Sequence, residues 1–187
     1  MNKRSFLSLG ILAAFGSACT TTSTVGGDPS AKRRSIDAEV DSALSKLYAQ
    51  VPGSRELTSK AKGVLVFPSV VSAGLVVGRS YGQGALPSGG KTDGYYSTTA
   101  ASAGLLAGAE SKALYLLFMD QQAFDKFRAS KGWTAGADAS VTLLKVGAAA
   151  GADTQTIQQP IIGYALSNAG LMANLSIDGT KINRLEL

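Results

Sequence analysis

The sequence predicts an α+β fold: N-terminal helices packed on an antiparallel, strongly curved β-sheet or partial barrel, with one interrupting helix. Three observations carry this. Apolar residues at helical spacing come first, from Ile36 to Leu47. From Gly63 onward the pattern changes to short apolar or alternating runs rich in Val, Ile, Tyr and Thr, as strands require. Turn signals built on Gly, Pro, Asn and Asp then punctuate those runs to the end. Helices first and strands after is the order of an α+β domain.

Asp28-Pro29 reads as an N-cap with proline at the first helical position. Ile36, Val40, Ala43, Leu44 and Leu47 follow at helical spacing, with Asp37, Glu39, Asp41 and Lys46 on the other side, until Val51-Pro52-Gly53 ends the helix. The stripe leaves two roles open, core packing or contact with a membrane surface beside Lys32-Arg33-Arg34. Ser54 is the expected N-cap of a second helix reaching about Ala61. Residues 63–67 (GVLVF) make a buried strand closed by Pro68, and 71–78 continue in the same vein. Residues 81–86 and 94–101 flank a long hairpin loop at 87–93. Residues 105–109 and 113–119 flank Glu110-Ser111-Lys112 as another hairpin.

Asp120 is the expected N-cap of a short helix carrying Phe124, Phe127 and Arg128. Alternating segments follow at 138–147 and 149–156. Residues 161–166, a turn at Asn168-Ala169-Gly170, and 171–177 come next. Asp178-Gly179 then leads into 181–185, a strong hairpin signal. Glycines recur four apart at Gly74/Gly78, Gly104/Gly108, Gly132/Gly136 and Gly147/Gly151. In these strand-like stretches they mark sharp bends or close backbone approach.

Ahead of the first helix stands an export signal. Met1-Asn2-Lys3-Arg4 is basic, residues 6–15 are apolar, and Gly16-Ser17-Ala18 lead into Cys19, the chain's one cysteine. The apolar run is shorter than the roughly 20 residues that span a bilayer. Cleavage before Cys19 would free its thiol for a diacylglycerol thioether, an arrangement that resembles bacterial lipoproteins. An ordinary secretory signal that contains a cysteine is the alternative. The expected organisation is therefore a lipoprotein signal peptide at 1–18, a flexible tether at 19–30 (a Thr, Ser and Gly-rich run) and a single domain at 31–187. Thr20, where aspartate would favour inner-membrane retention, leans the expectation toward an outer-membrane anchor facing the periplasm.

Composition narrows the chemistry. The chain has no histidine, which removes the commonest general base and metal ligand. With Cys19 acylated no thiolate remains as nucleophile or ligand. The 13 acidic residues form no calcium-loop spacing; Asp37, Glu39 and Asp41 read as a solvated helix face, and Asp178 as an acceptor for its own turn. No catalytic residue, metal ligand or cofactor is expected. The net charge of +5 loses Lys3 and Arg4 with the signal, which leaves mild attraction to anionic lipid and little case for nucleic acid.

Three tempting motifs fail on context. Residues 85–92 (ALPSGGKT) nearly spell a phosphate-binding loop, but a turn and a strand follow where a helix is needed, so no nucleotide is expected. Ser88-Gly89-Gly90-Lys91 has serine–lysine spacing without the helix that would bring the two together. Gly82-x-Gly84 opens a dinucleotide fingerprint that Pro87 breaks.

Lys60-Ala61-Lys62-Gly63, the strand Val64-Leu65-Val66-Phe67 and the element Gly78-Arg79-Ser80-Tyr81-Gly82-Gln83-Gly84 resemble the SYLF (Ysc84-type) domain, with its Ala-Lys-Gly opening and Gly-Arg-x-x-Gly-x-Gly element. Residues 163–171 (GYALSNAGL) and 175–179 (LSIDG) look like that family's closing hairpins. The resemblance implies lipid binding, and in some eukaryotic members actin. No SH3 module is expected within these residues, and actin is not an expected partner of an exported bacterial protein. The expectation is a non-enzymatic lipid-binding lipoprotein of the bacterial cell envelope, with membrane phospholipids as partner. An envelope scaffolding module that holds another protein is the alternative. Candidate residues are Cys19 as lipid anchor, Lys60, Lys62 and Arg79 for head groups, and Lys32, Arg33 and Arg34 as a second patch. Structural pairing of Arg79 with Glu56 or Asp178, and mere solvation of Lys60 and Lys62, are the competing roles.

Overall fold

The computed structural model describes residues 28–74, 77–103, 108–144, 158–168, 170–172 and 175–187. The signal at 1–18, Cys19, Thr20 and the tether as far as 27 lie outside the described residues. So do the alternating segment at 149–156 and Gly104, Gly147 and Gly151.

Helix α1 (Pro29–Gln50) starts as its sequence requires: the Asp28 carboxylate accepts from the Ser30 N–H at 3.0 Å, and Pro29 lies at the first turn. Ile36, Val40, Ala43 and Leu47 are buried against the sheet, which decides the open question: the stripe is core. Helix α2 (Ser54–Lys60) departs from expectation at its start. Gly53, left-handed at φ 79°, is the cap residue, and Ser54 is buried inside the helix. Its hydroxyl donates to the Val51 carbonyl at 2.6 Å, satisfying an oxygen left over at the end of α1.

The strands are β1 (Gly63–Gly74), β2 (Val77–Ser88), β3 (Lys91–Ala103), β4 (Gly108–Phe118), β5 (Gly132–Thr134), β6 (Thr142–Leu143), β7 (Ile161–Ser167), β8 (Gly170–Leu171) and β9 (Lys181–Leu185). Helix α3 (Gln121–Ala129) interrupts them, its cap Asp120 accepting from the Ala123 N–H at 2.9 Å. One sheet runs in the order β5-β9-β3-β2-β1-β4-β7-β6, with β8 beside β7. All pairs are antiparallel except β6 with β7. The sheet curls strongly into a half-barrel, so the α+β expectation holds.

Both faces of the central strands are buried. Val64, Val66, Tyr115, Leu117, Ile162 and Tyr164 face α1 and α2. Leu65, Phe67, Leu114, Leu116, Phe118 and Ile161 face α3 and Trp133. Two-sided burial is why β1, β4 and β7 read as continuous apolar runs rather than alternating ones. The edge-to-face contact of Phe127 with Trp133, at 5.8 Å between centroids, locks the second layer.

Four strand boundaries differ from the sequence reading. β1 runs straight through Pro68 to Gly74, so 71–78 is not a separate strand but the end of β1, a connection and the start of β2. The β2–β3 loop is shorter than 87–93: Gly89 (φ 55°) and Gly90 (φ 81°) make a two-residue turn, and the strands take the rest. Glu110-Ser111-Lys112 is no turn. It lies inside β4, where its residues pair with Val70, Val71 and Ser72 of β1. Asp178-Gly179 is a turn, yet β9 pairs with β3 and β5 rather than with 171–177. The Gly179 N–H donates to the Ala135 carbonyl instead, and the Asp178 carboxylate accepts from the Ser176 hydroxyl.

Asp37 also departs from a solvated role. Its carboxylate accepts from the Thr92 and Tyr95 hydroxyls, both at 2.8 Å, and so ties α1 to β3. Asp37→Ala leaves two partly buried hydroxyls unpaired and is expected to cost about 1–3 kcal/mol in urea melts. Unchanged stability would mean the bridge is solvent-exchanged.

Candidate functional site

Pro68 sets up the site. Proline offers no N–H to either neighbouring strand, and β1 slips by one residue against both partners, between Val66 and Ser69 facing β2 and between Phe67 and Val70 facing β4. An extra residue reverses which side chains face which way. Val64 and Val66 face α1 before the bulge; beyond it Val70 has joined the opposite layer, and Ser69 and Val71 turn to the α1 side.

Beyond this point the sheet narrows. β9 pairs with β3 only at Tyr95–Thr99, and β7 pairs with β4 only at Ala113–Phe118. Above those rungs, among the described residues, only β3-β2-β1-β4 continue, as a four-stranded finger. On β2, large side chains and small ones alternate: Val77, Arg79, Tyr81 and Gln83 share one face, while Gly78, Ser80, Gly82 and Gly84 share the other. The glycines are there for space. A Cβ on Gly84 would meet the Val66 carbonyl oxygen, and one on Gly82 would lie 2.8 Å from the Ser69 oxygen. Of the glycines spaced four apart, Gly74 shows the same close backbone approach, since a Cβ there would meet the Gly78 backbone.

The large-residue face of β2 looks across a groove of about 840 Å³ toward the N-terminal half of α1, a volume in the range of small-molecule sites. Val71, Tyr81 and Ala101 supply apolar wall, and Lys32, Arg79 and Lys181 bring three cations to the same groove. The Arg79 side chain forms no ion pair or hydrogen bond with any described residue. The two carboxylates considered for it are engaged elsewhere: Glu56 pairs with Lys60 at 2.6 Å and Asp178 takes the Ser176 hydroxyl. Glu39 is the carboxylate in the groove lining, 3.1 Å from the Ser35 hydroxyl on its own helix. The groove thus presents a basic, apolar-walled surface. Among the described residues no group of three or more carboxylate or thiol side chains is placed to hold a metal.

The predicted cations separate. Lys32 and Arg79 meet in the groove. Arg33 lines a different, polar pocket with Asp37 and Arg184, and Arg34 lies 3.9 Å from Asp28. Lys60 pairs with Glu56 on the exposed side of α2, whose carboxyl that contact holds below its usual range, and Lys62 is exposed at the entry to β1. Lys181, Val71 and Tyr81 were missed as site residues. The period-two pattern from Val77 to Gln83 was a visible signal for the last; Lys181 needs the β3–β9 pairing, which no local pattern announces.

Residues 99–185, from within β3 to the end of β9, match the family model Ysc84, described as Las17-binding protein actin regulator. Over that span the chain is similar to the Ysc84 (SYLF) family. The match includes the two closing segments that carried the resemblance, 163–171 and 175–179, and stops short of the Ala61-Lys62-Gly63 and Gly78–Gly84 elements. Those elements are nevertheless one piece of architecture with the Ysc84 segment, since β1 and β2 sit between its β3 and β4. Ysc84 is a family of binding domains, described by what it engages rather than by a reaction. No curated protein matches the chain.

Proposed function

We propose that the protein is a non-enzymatic, lipid-binding lipoprotein of the bacterial cell envelope, acylated at Cys19 and touching anionic lipid head groups through Arg79 and Lys32. The observation that carries the head-group role is Arg79, a cation without a protein partner among the described residues, set in an apolar-walled groove beside Lys32 and Lys181. Acyl chains contribute about 0.8 kcal/mol per buried methylene, so the anchor dominates residence on the membrane and the domain adds orientation and head-group preference. Arg33, Arg34, Lys60 and Lys62 are exposed but do not line this groove. Thr20 favours an outer-membrane anchor facing the periplasm. The family description names Las17 and actin regulation; an envelope location offers neither, and the lipid-binding side of the family is the one assigned here.

The test removes the anchor. All described residues of both cores lie beyond Asp28, so the fragment used is residues 28–187. Flotation with vesicles rich in anionic lipid is expected to capture this fragment, and Arg79→Glu to reduce capture at least about fivefold, because charge reversal replaces attraction with repulsion near the surface. Equal capture of both, or capture of neither, contradicts the head-group role.

A further inference from the structure

The exposed apolar side chains of this protein are not scattered. Among the described residues the large hydrophobics classed as exposed are Val71, Val77 and Tyr81, at 48, 67 and 48% of their full accessibility. Val71 and Val77 stand on the four-stranded finger and Tyr81 at its base, level with the last β9 rung, all on the α1-side face, with Val71 directly opposite Tyr81 across the β1–β2 ladder. Arg79 stands between Val77 and Tyr81 on the same face of β2. Exposed apolar groups gathered at one projecting end mark a contact surface.

We propose that this finger enters the membrane interface, seating Val77 and Val71 against the upper acyl carbons, with Tyr81 at the polar–apolar boundary and Arg79 reaching the lipid phosphates. The inference rests on the head-group reading above and adds the part of the bilayer that the domain penetrates. Three features select a bilayer as occupant. The charge is complementary, since Lys32, Arg79 and Lys181 border the same groove. The residue types are those of an interfacial contact: aliphatic side chains, a tyrosine whose hydroxyl is held by Gln83 at 2.7 Å, and an arginine whose methylene stem tolerates an apolar layer. Chain length supplies the third. Only eight residues, nine Cα–Cα steps, separate Cys19 from Asp28, a reach of at most roughly 30 Å. An acylated Cys19 therefore keeps the start of α1 near the membrane, and Lys32, Ser35 and Ile36 of that helix form the wall facing the finger.

Insertion has to be shallow. Above the β9 and β7 rungs, β3 from Ala100 and β4 up to Lys112 have no further strand partner among the described residues. Backbone groups unpaired in hydrocarbon are costly, so the finger stops at the interface rather than crossing.

The test uses the full chain carrying Tyr81→Trp, bound to anionic vesicles whose acyl chains carry bromine. The native tryptophan, Trp133, is buried, so the unsubstituted chain supplies the background. The new indole is expected to be quenched by the acyl-chain bromines, and to remain quenched at about 1 M salt, where surface attraction is screened within about 3 Å. Adding Val71→Asp and Val77→Asp is expected to lower the quenched fraction about tenfold, with circular dichroism unchanged because both side chains are exposed. An indole untouched by the bromines, while vesicle capture of the 28–187 fragment still depends on Arg79, overturns the finger and leaves the head-group reading standing. Quenching that survives Arg79→Glu supports the finger while removing the head-group role. A lipid-free, concentration-dependent blue shift would assign the face to a second copy of the chain and overturn the proposal.

Discussion

Gly84→Val is expected to destabilise the fold by about 3 kcal/mol or more, enough to unfold much of a marginally stable domain. The strand conformation at Gly84 is ordinary; the obstacle is space. A Cβ there would overlap the Val66 carbonyl oxygen and lie 2.7 Å from the Phe67 ring. Phe67 is fully buried, and β1 is held on both sides, by β2 and by β4, so its backbone has nowhere to retreat. Branched atoms beyond the Cβ add to the clash. Gly89 gives the contrast: its φ is 55°, nothing lies within 4 Å of an added Cβ, and Gly89→Ala is expected to cost only about 1 kcal/mol, for backbone conformation alone. Urea melts of the two variants measure the difference. Gly84→Val melting like wild type would mean that the sheet curls less tightly than described.

Alkali is expected to unfold the protein in a window set by two buried tyrosines. Burial pushes the Tyr115 and Tyr164 hydroxyls from 10 up to about 12. In the unfolded chain they lose their protons near pH 10, whereas the folded protein keeps them until about pH 12. Between those values the native state binds more protons, so stability falls as pH rises. The contribution is complete below pH 10 and is lost through 12, at about 1.4 kcal/mol per unit for each tyrosine. Together they remove on the order of 5 kcal/mol. Burial raises Tyr95 and Tyr96 in the same direction.

The two hydroxyls differ at neutral pH. That of Tyr115 donates to the Ala43 carbonyl at 2.8 Å, while that of Tyr164 is buried with no hydrogen-bond partner among the described residues. Tyr164→Phe is therefore expected to be neutral or slightly stabilising near pH 7 and to shift alkaline unfolding upward. Tyr115→Phe is expected to lose about 1 kcal/mol at pH 7 while shifting it likewise. Melts repeated from about pH 8 to 12 decide, and a Tyr164→Phe profile parallel to wild type would contradict the assignment.

The starts of α1 and α3 were legible because a side-chain cap is a local device, unlike that of α2, where Gly53 caps and Ser54 is buried. Asp28-Pro29 and Asp120 each act within three residues of themselves, and both were read correctly. The buried strands were legible because two-sided burial leaves runs such as Ile161–Leu166 almost wholly apolar. Misreadings came where a local signal met a distant partner. Pro68 looks like a stop, yet two neighbouring strands hold β1 on course and absorb the missing N–H as a bulge. Glu110-Ser111-Lys112 looks like a turn because it is polar, but it crosses the finger, where β4 has lost the cover of β7 and polar side chains reach solvent. Asp178-Gly179 invited a hairpin, while β9 joins a strand more than eighty residues upstream.

The candidate site divides along the same line. Arg79 and Lys32 were visible as cations, but their shared groove comes from α1 lying against β1 and β2 and from the reversal of faces at Pro68. Neither is encoded near the residues it unites. The apolar face of the finger was half visible, as the alternation of large and small residues along β2; what made it exposed was the end of the β9 and β7 pairings far along the chain.

The anchor stands behind both the head-group contact and the orientation of the finger, and the intact mass of the protein recovered from membranes tests it most directly. The expected species begins at Cys19, lacks residues 1–18, and is heavier than the bare polypeptide by a diacylglycerol thioether with or without an added fatty acid. A species carrying a free Cys19 thiol, recovered in the soluble fraction, would contradict it.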